Sequence, residues 1–181
     1  MPRELFSLRI TLSDVTPSVW RRVVVPAGYT LDRLHRVIQH AMGWHDSHLH
    51  SFDIGGESYG VPDPEGELAL RDELDFRLDA VTGKGGQFTY TYDFGDWWDH
   101  DILVEDVLLA DPEQRYPICL DGQRACPPES VGGPAGYQEF RTAMLDPRHP
   151  QHAQMREWHG RAFDPDAFDP SRTTTLLRRF S

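Results

Sequence analysis

Three histidines have the residue type and the spacing that a metal site requires. His48 and His50 are separated by one residue in the run HLHSF, so on a β-strand their side chains would point to the same face. His100 follows a strongly alternating aromatic segment, and a neighbouring strand would carry its imidazole toward the other two. Three imidazoles and one open position form the ligand set of a catalytic zinc site. One hypothesis is therefore a metal-dependent hydrolase, or a metal-binding protein, that holds zinc or another divalent metal.

The alternative interpretation is that these histidines have a structural role. A histidine among aromatic residues is more often a packed side chain whose ring nitrogens are hydrogen-bonded to backbone or carboxylate groups. We therefore favour a different class of function, a non-enzymatic binding or accessory module, and keep the metal site as its alternative. Whether the protein is an enzyme stays open at this point.

Acidic and aromatic residues around the turn GDW form a second candidate site. Asp93, Asp96 and Asp99 gather there, and Trp97 is expected to be exposed at the tip. A surface of this kind would suit a basic protein or peptide partner. An ordinary packed tryptophan, with acidic residues neutralised by nearby arginines, is the alternative interpretation.

Arg21 and Arg22 are candidates for a basic binding patch, together with Arg33 and Arg36 of the following segment. Nucleic-acid binding would require these four side chains to gather on one face. The chain has a net charge of -11, from 29 acidic and 18 basic residues, and therefore repels polyphosphate as a whole. Nucleic acid is the less favoured partner, and a structural role is the favoured interpretation of the arginines.

A predicted hairpin over residues 87–105 must position these side chains. Apolar and polar residues alternate on both sides of Gly95, which is typical of strands with one buried face. A three-residue loop from Gly95 to Trp97 would bring the two apolar rows onto the same face. The predicted pairs are Phe94 with Trp98, Tyr92 with His100, Tyr90 with Ile102, and Phe88 with Val104. This register also sets Asp93 opposite Asp99, so the reverse face would need a nearby cation.

Other segments carry weaker or simpler signals. Residues 6–12 alternate as a strand, residues 19–25 are rich in β-branched residues and are expected to pair with it, and a further strand is expected to begin near His48. Thr30 and Gly43 bound an amphipathic helix whose polar face, including Gln39, is expected to be solvated. The predicted segments nearer the C-terminus are a surface loop over 57–72, helices over 134–145 and about 150–159, and a short last helix containing Leu176, Leu177 and Phe180.

These elements predict an α+β fold, in which an antiparallel sheet built around the aromatic hairpin is flanked by helices. A single domain over residues 1–181 is expected, with an N-terminal hairpin and helix, a central sheet and a C-terminal helical part. The sequence lacks a long apolar run and a signal peptide, so a cytoplasmic protein without a membrane partner is expected. Cys119 and Cys126 are expected to be reduced thiols or metal ligands.

The chain also resembles a known family over nearly its whole length, the plasmid pRiA4b ORF-3-like family. The segments that carry the resemblance are VWRRVVVP, TLDRLHRVIQHAMGW, HLHSF, YTYDFGDWWDH, YPICLDGQRACPPE, VGGPAGY and FDPDAFD. Ser130 departs from the acidic residue expected after CPPE. The resemblance implies an α+β domain and an association with plasmids and insertion elements, where some relatives carry a resolvase or transposition label. A serine recombinase needs a serine nucleophile among arginines and a basic helix-turn-helix domain, and this sequence shows neither.

Overall fold

The structure is a computed structural model that describes residues 3–179. Its centre is an eight-stranded sheet. The strands are β1 (Glu4–Leu12), β2 (Trp20–Pro26), β3 (His50–Ile54), β4 (Glu57–Gly60), β5 (Arg71–Asp72), β6 (Gln87–Tyr92), β7 (Trp98–Leu109) and β8 (Ile118–Gln123). They lie in the order β5-β4-β3-β6-β7-β1-β2-β8, and every neighbouring pair is antiparallel except β4 and β5.

Helices pack around this sheet. They are α1 (Leu31–Met42), α2 (Leu78–Val81), α3 (Gly133–Leu145), α4 (His152–His159) and α5 (Pro170–Leu177), with a short 3-10 turn at Glu73–Asp75. α1 covers the apolar face of the sheet, where Gln39 Nε2 donates to Tyr90 Oη over 2.9 Å. α5 is tied to β8 because Cys119 N donates to Thr174 Oγ1 over 2.9 Å. The predicted α+β class, a largely antiparallel sheet flanked by helices, is confirmed.

The helix α1 begins and ends where its sequence signals place it. Gly43 adopts a left-handed φ of 109° and donates its N–H to Gln39 O, which is a common way to end a helix. Thr30 precedes the helix, although its hydroxyl contacts the Asp32 carboxylate rather than a backbone amide. The prediction of a solvated Gln39 is wrong, because this side chain is buried against the sheet.

The central hairpin has the predicted faces but a different register. Tyr92 pairs with Trp98 and Tyr90 pairs with His100, two residues away from the predicted pairs. The connection comprises residues 93–97 instead of three residues, because Asp93 and Trp97 both take left-handed φ values, 59° and 58°. Since side chains alternate with a period of two, a shift of two keeps both apolar rows on one face.

On the reverse face the predicted opposition of Asp93 and Asp99 is wrong. Asp99 stands opposite Thr91, whose hydroxyl donates to Asp99 Oδ1 over 2.6 Å. Asp101 accepts a hydrogen bond of 3.1 Å from Ser13 Oγ. Hydroxyl groups therefore satisfy carboxylates for which the sequence predicted a cation.

Two predictions outside the hairpin also need correction. Residues 57–72 are not a plain loop, because they contain β4 and the short β5, which extend the sheet edge. The strand expected near His48 begins at His50, so His48 belongs to the preceding loop. Phe180, predicted in the last helix, lies outside the described residues. Within residues 3–179, none of the helices has the length and apolar character needed to cross a bilayer.

Candidate functional site

Three segments that are far apart in the sequence meet beside the central hairpin. They are residues 45–48, 92–97 and 129–133, and we call their meeting point the motif junction. Backbone amides of one segment donate to side chains of another. These bonds are His45 N to Glu129 Oε1 (2.8 Å), Ser47 N to Tyr92 Oη (2.9 Å) and Gly132 N to Asp96 Oδ2 (3.0 Å).

His48 stands between two carboxylates at this junction. Its Nε2 lies 3.5 Å from Asp93 Oδ2 and 3.7 Å from Glu129 Oε2. The Asp93 and Glu129 side chains are only 10% and 17% exposed, whereas that of His48 is 33% exposed. Within residues 3–179, neither carboxylate forms an ion pair with an arginine or lysine. The junction is therefore a half-enclosed acidic site. Within the fold, its two carboxylates contact histidines and accept hydrogen bonds from hydroxyl or amide groups.

Local backbone geometry holds Asp93 in place. Its left-handed φ of 59° lets Oδ1 accept from Gly95 N over 2.9 Å and from Asp96 N over 3.3 Å, an arrangement that aspartate forms readily in turns. The second carboxylate oxygen is left to face His48. The turn thus orients one oxygen of Asp93 toward the junction.

Tyr92 holds Glu129 in place through a hydrogen bond. Its hydroxyl donates to Glu129 Oε1 over 3.1 Å. Burial and the Glu129 carboxylate raise the pKa of Tyr92 well above its usual value, so the phenol keeps its proton and remains a donor. Glu129 is consequently fixed by donors from both other segments.

The remaining residues predicted around the turn divide into two groups. Trp97 is 56% exposed and its ring lies 5.8 Å from that of Phe94. Asp96 belongs to the junction through its bond to Gly132 N. Asp99 lies on the reverse face of the sheet, bonded to Thr91, so the structure does not bring it to the junction.

The three predicted metal ligands lie in three different environments. His48 is at the motif junction, and His50 Nε2 is bonded to the buried Glu73 Oε2 over 2.7 Å. His100 is fully buried. Its Nδ1 lies 3.1 Å from Tyr90 O, and its Nε2 accepts from Trp44 Nε1 over 3.3 Å. Burial lowers the pKa of His100 to about 4. The predicted convergence of three imidazoles is wrong, because within residues 3–179 the ligand atoms of His48, His50 and His100 do not gather at metal-binding distances.

A different histidine pair does come together beneath α1. Ligand atoms of His35, Asp46 and His50 lie within 4.8 Å of one another. The His35 and His50 rings are stacked, with centroids 3.5 Å apart and planes inclined by 6°. A metal bound in the plane of one imidazole would lie outside the plane of the other, so metal binding here would require one ring to rotate.

His35 and three neighbouring residues form a closed ring of hydrogen bonds. Tyr90 Oη and His35 Nδ1 are 2.8 Å apart, as are His35 Nε2 and Asp46 Oδ1. Gln39 closes the ring, since Nε2 donates to Tyr90 and Oε1 accepts from Asp46 N over 2.8 Å. Burial, and then the neighbouring His50, lower the pKa of His35 to about 4. A neutral His35 that accepts from Tyr90 and donates to Asp46 satisfies every member.

The arginines do not gather into the patch that nucleic-acid binding would need. Arg21 is buried beneath α1, where Nε donates to Ala41 O over 2.7 Å. Arg22 points to the opposite face of the sheet, as alternation along a strand requires, and its Nε lies 2.6 Å from Glu105 Oε2. This bond raises the pKa of Arg22 and lowers that of Glu105. Arg36 faces Asp32 at 3.7 Å.

Sequence reasoning missed two residues that matter here. His35 follows Leu31 by four residues and precedes Gln39 by four, so the three lie on one helix face, and that spacing could have identified His35 as buried. Glu129 was noticed only as part of the CPPE segment. Its position next to His48 and Asp93 depends on long-range loop packing, for which the sequence carries no local signal.

Comparisons with known proteins agree with this architecture. The profile of the plasmid pRiA4b ORF-3-like protein family matches residues 4–172. The uncharacterised protein y4hQ of Sinorhizobium fredii is 44% identical over 162 residues, which cover 88% of this chain and 83% of that protein. The crystal structure of MM3350, a protein of unknown function from Methanosarcina mazei Go1, superposes with a TM-score of 0.87 at 34% identity, covering 95% of this chain and 98% of that one. The chain belongs to the plasmid pRiA4b ORF-3-like family.

Proposed function

We propose that the protein is a non-enzymatic binding module that recognises a basic side chain of a protein or peptide partner at the motif junction. The observation that carries this proposal is the placement of Asp93 and Glu129. Both carboxylates are largely buried, and each lies beside His48 without an arginine or lysine partner in residues 3–179. A guanidinium or ammonium group would supply the charge-assisted hydrogen bonds that these oxygens can still accept.

Two further features support a basic partner. Trp97, the last residue of the junction segment 92–97, is exposed, and tryptophan is enriched among the residues that dominate binding energy at interfaces. The net charge of -11 would attract a positively charged partner over a long range and would repel a nucleic acid. The plasmid named in the family description is in keeping with an accessory role on mobile elements.

Calorimetric titration with short peptides tests this function. The peptides share a neutral sequence and differ at one position that carries arginine, lysine or glutamine. We expect arginine and lysine peptides to bind, with an affinity that falls as salt is added, and the glutamine peptide not to bind. Equal binding of all three peptides, or of none, would contradict the proposal.

Divalent-metal binding is a second candidate function, favoured by the mutual proximity of His35, Asp46 and His50. Two imidazoles and carboxylate oxygens suit zinc and similar transition metals, and Asp46 is the exposed member through which an ion would enter. Binding would have to displace the hydrogen bonds of His35 and unstack the two rings. This competition makes metal binding the weaker of the two proposals.

Elemental analysis distinguishes the metal sites. Untagged protein would be dialysed against zinc and its metal content measured for the wild type and three variants. Binding at this cluster predicts that His35→Ala and His50→Ala lose the ion, while His48→Ala retains it. Loss with His48→Ala alone would point to the motif junction instead. Metal-free wild-type protein would remove this candidate function.

A further inference from the structure

A cavity whose lining does not include Asp93 opens between α1, α5 and the CPPE segment. Its volume is about 830 Å³, which lies within the range of small-molecule sites, roughly 300–1,000 Å³. The C-terminal end of α1, residues 125–129, and the ends of α4 and α5 line it. We call it the Arg21 cleft, after the buried arginine in its wall.

Arg21 is held rigidly in this wall. Nε donates to Ala41 O over 2.7 Å, and Nη1 donates to Trp20 O and Gln123 O over 2.8 and 3.0 Å. The guanidinium carbon lies 3.9 Å from the centroid of the Phe168 ring. Arg21 is only 1% exposed, yet among residues 3–179 nothing accepts a hydrogen bond from its Nη2.

The charge of Arg21 also lacks a counterion within the described chain. All of its hydrogen-bond acceptors are neutral backbone carbonyls. The ionisable groups that interact with it most are Cys126 and Cys119, and burial raises the pKa of both thiols, that of Cys119 to about 11, so both are neutral at pH 7. A buried cation without a partner is costly, and an anion in the cleft would offset that cost.

Other charges in the Arg21 cleft favour the same sign of ligand. Arg161 and Arg172 line it and are exposed. Two carboxylates, Asp169 and Glu129, also line it, so the three arginines exceed them by one charge. On a chain of net charge -11, this cleft is locally positive.

We propose that the Arg21 cleft binds a small organic oxyanion, a carboxylate or a phosphate monoester, through the free Nη2 edge of Arg21. Phe168 lies against the guanidinium, and Phe163 and Leu176 also line the cleft, so the ligand carries an apolar body beside its charged group. Arg172 and Arg161 strengthen the attraction through their positive charge. This site differs from the basic-partner site in its ligand and in its binding group, Arg21, although His45 and Glu129 border both.

Calorimetry with three simple probes tests the proposal. Benzoate and phenyl phosphate carry the two oxyanions on an aromatic body, and benzamide is the neutral control. We expect at least one oxyanion to bind saturably and benzamide to bind at least tenfold more weakly. A preference for benzoate assigns a carboxylate ligand, and a preference for phenyl phosphate assigns a phosphate. Equal binding of benzamide, or binding of none of the three, would overturn the proposal.

Variants locate the binding. Arg172→Gln removes a cleft charge and should weaken oxyanion binding several-fold, whereas Arg148→Gln, a solvent-exposed arginine paired with Asp146, should leave it unchanged. Arg21→Lys keeps the charge but loses the Nη2 edge and should weaken binding at least tenfold. Because Arg21→Lys could also disturb folding, NMR of the wild type should follow the Arg21 Nε–H resonance. Oxyanion binding that neither shifts this resonance nor responds to Arg172→Gln would place the ligand elsewhere and refute the site.

Discussion

The imidazole rings of His35 and His50 lie parallel beneath α1, with their centroids 3.5 Å apart. His35 belongs to a closed hydrogen-bonded ring with Tyr90 and Asp46, and His50 is bonded to Glu73. The stack thus joins two polar groups inside an aromatic core. Because His35 lies on α1 and His50 on β3, the stack ties this helix to the sheet.

Tyr90→Phe tests the hydrogen-bonded ring. Removing the hydroxyl leaves His35 Nδ1 without a donor and Gln39 Nε2 without an acceptor in the core. We expect the free energy of unfolding to fall by about 1–3 kcal/mol, the cost of unsatisfied buried groups. Denaturant unfolding measures it, and Tyr116→Phe serves as the control, because the Tyr116 hydroxyl accepts a long bond of 3.3 Å from the exposed Asp111 N. Equal stabilities of the two variants would show that the ring contributes nothing.

His35 and His100 make stability depend on pH. Burial lowers the pKa of each to about 4, below the unfolded value of about 6.5. Between these values the unfolded chain binds more protons, so stability is full above pH ~6.5 and is lost as pH falls toward ~4. Each histidine accounts for at most about 3 kcal/mol of this loss in the free energy of unfolding.

Denaturant unfolding at a series of pH values measures this dependence. His100→Gln should flatten the loss of stability between pH ~6.5 and ~4, whatever its effect on stability at pH 7. The half-exposed His149 offers a matched control, since His149→Gln should keep the wild-type slope. A slope unchanged by His100→Gln would refute the neutral, buried state of this histidine.

The buried pair of His50 and Glu73 predicts a large effect of truncation. Both side chains are 6% exposed and their bonded atoms are 2.7 Å apart. Glu73→Ala leaves His50 Nε2 without an acceptor, which we expect to destabilise the fold by about 1–3 kcal/mol. Thermal unfolding would show the loss, and Glu139→Ala on the exposed face of α3 should change stability little. A small effect of Glu73→Ala would mean that water replaces the carboxylate.

Gly133→Ala tests the packing of the motif junction. Gly133 has a φ of 69°, and a Cβ there would overlap the carbonyl oxygen of Asp96. Gly160 has a similar φ of 75° but open space around it, so Gly160→Ala carries the backbone strain of about 1 kcal/mol without the clash. We expect Gly133→Ala to lower the unfolding temperature clearly more than Gly160→Ala. Equal shifts in unfolding temperature would show that residues 129–133 can move away from Asp96 without a cost in stability.

The sequence predicted side-chain faces well and loop geometry poorly. Period-two alternation identified the buried rows of the central hairpin, because each side of a strand meets one environment. The left-handed conformations of Asp93 and Trp97 are rare for residues other than glycine. The sequence therefore favoured a shorter turn and a register two residues away.

The candidate site was predicted in part. Asp93, Asp96 and Trp97 were named from the turn, and the structure places them at the junction or beside it. Glu129 was missed because its approach to His48 depends on how a later loop folds back over the hairpin. Tertiary contacts of this kind leave no periodic pattern in the chain.

One titration tests the binding site most directly. An arginine-containing peptide would be titrated by calorimetry into the wild type, Glu129→Gln and Glu139→Gln, two variants with the same change in net charge. A basic group held at the motif junction predicts roughly thirtyfold or greater loss of affinity for Glu129→Gln, because removing one partner of a close charge pair costs about 2 kcal/mol or more. It also predicts wild-type affinity for Glu139→Gln. Equal affinities of the two variants would contradict a binding site at His48, Asp93 and Glu129.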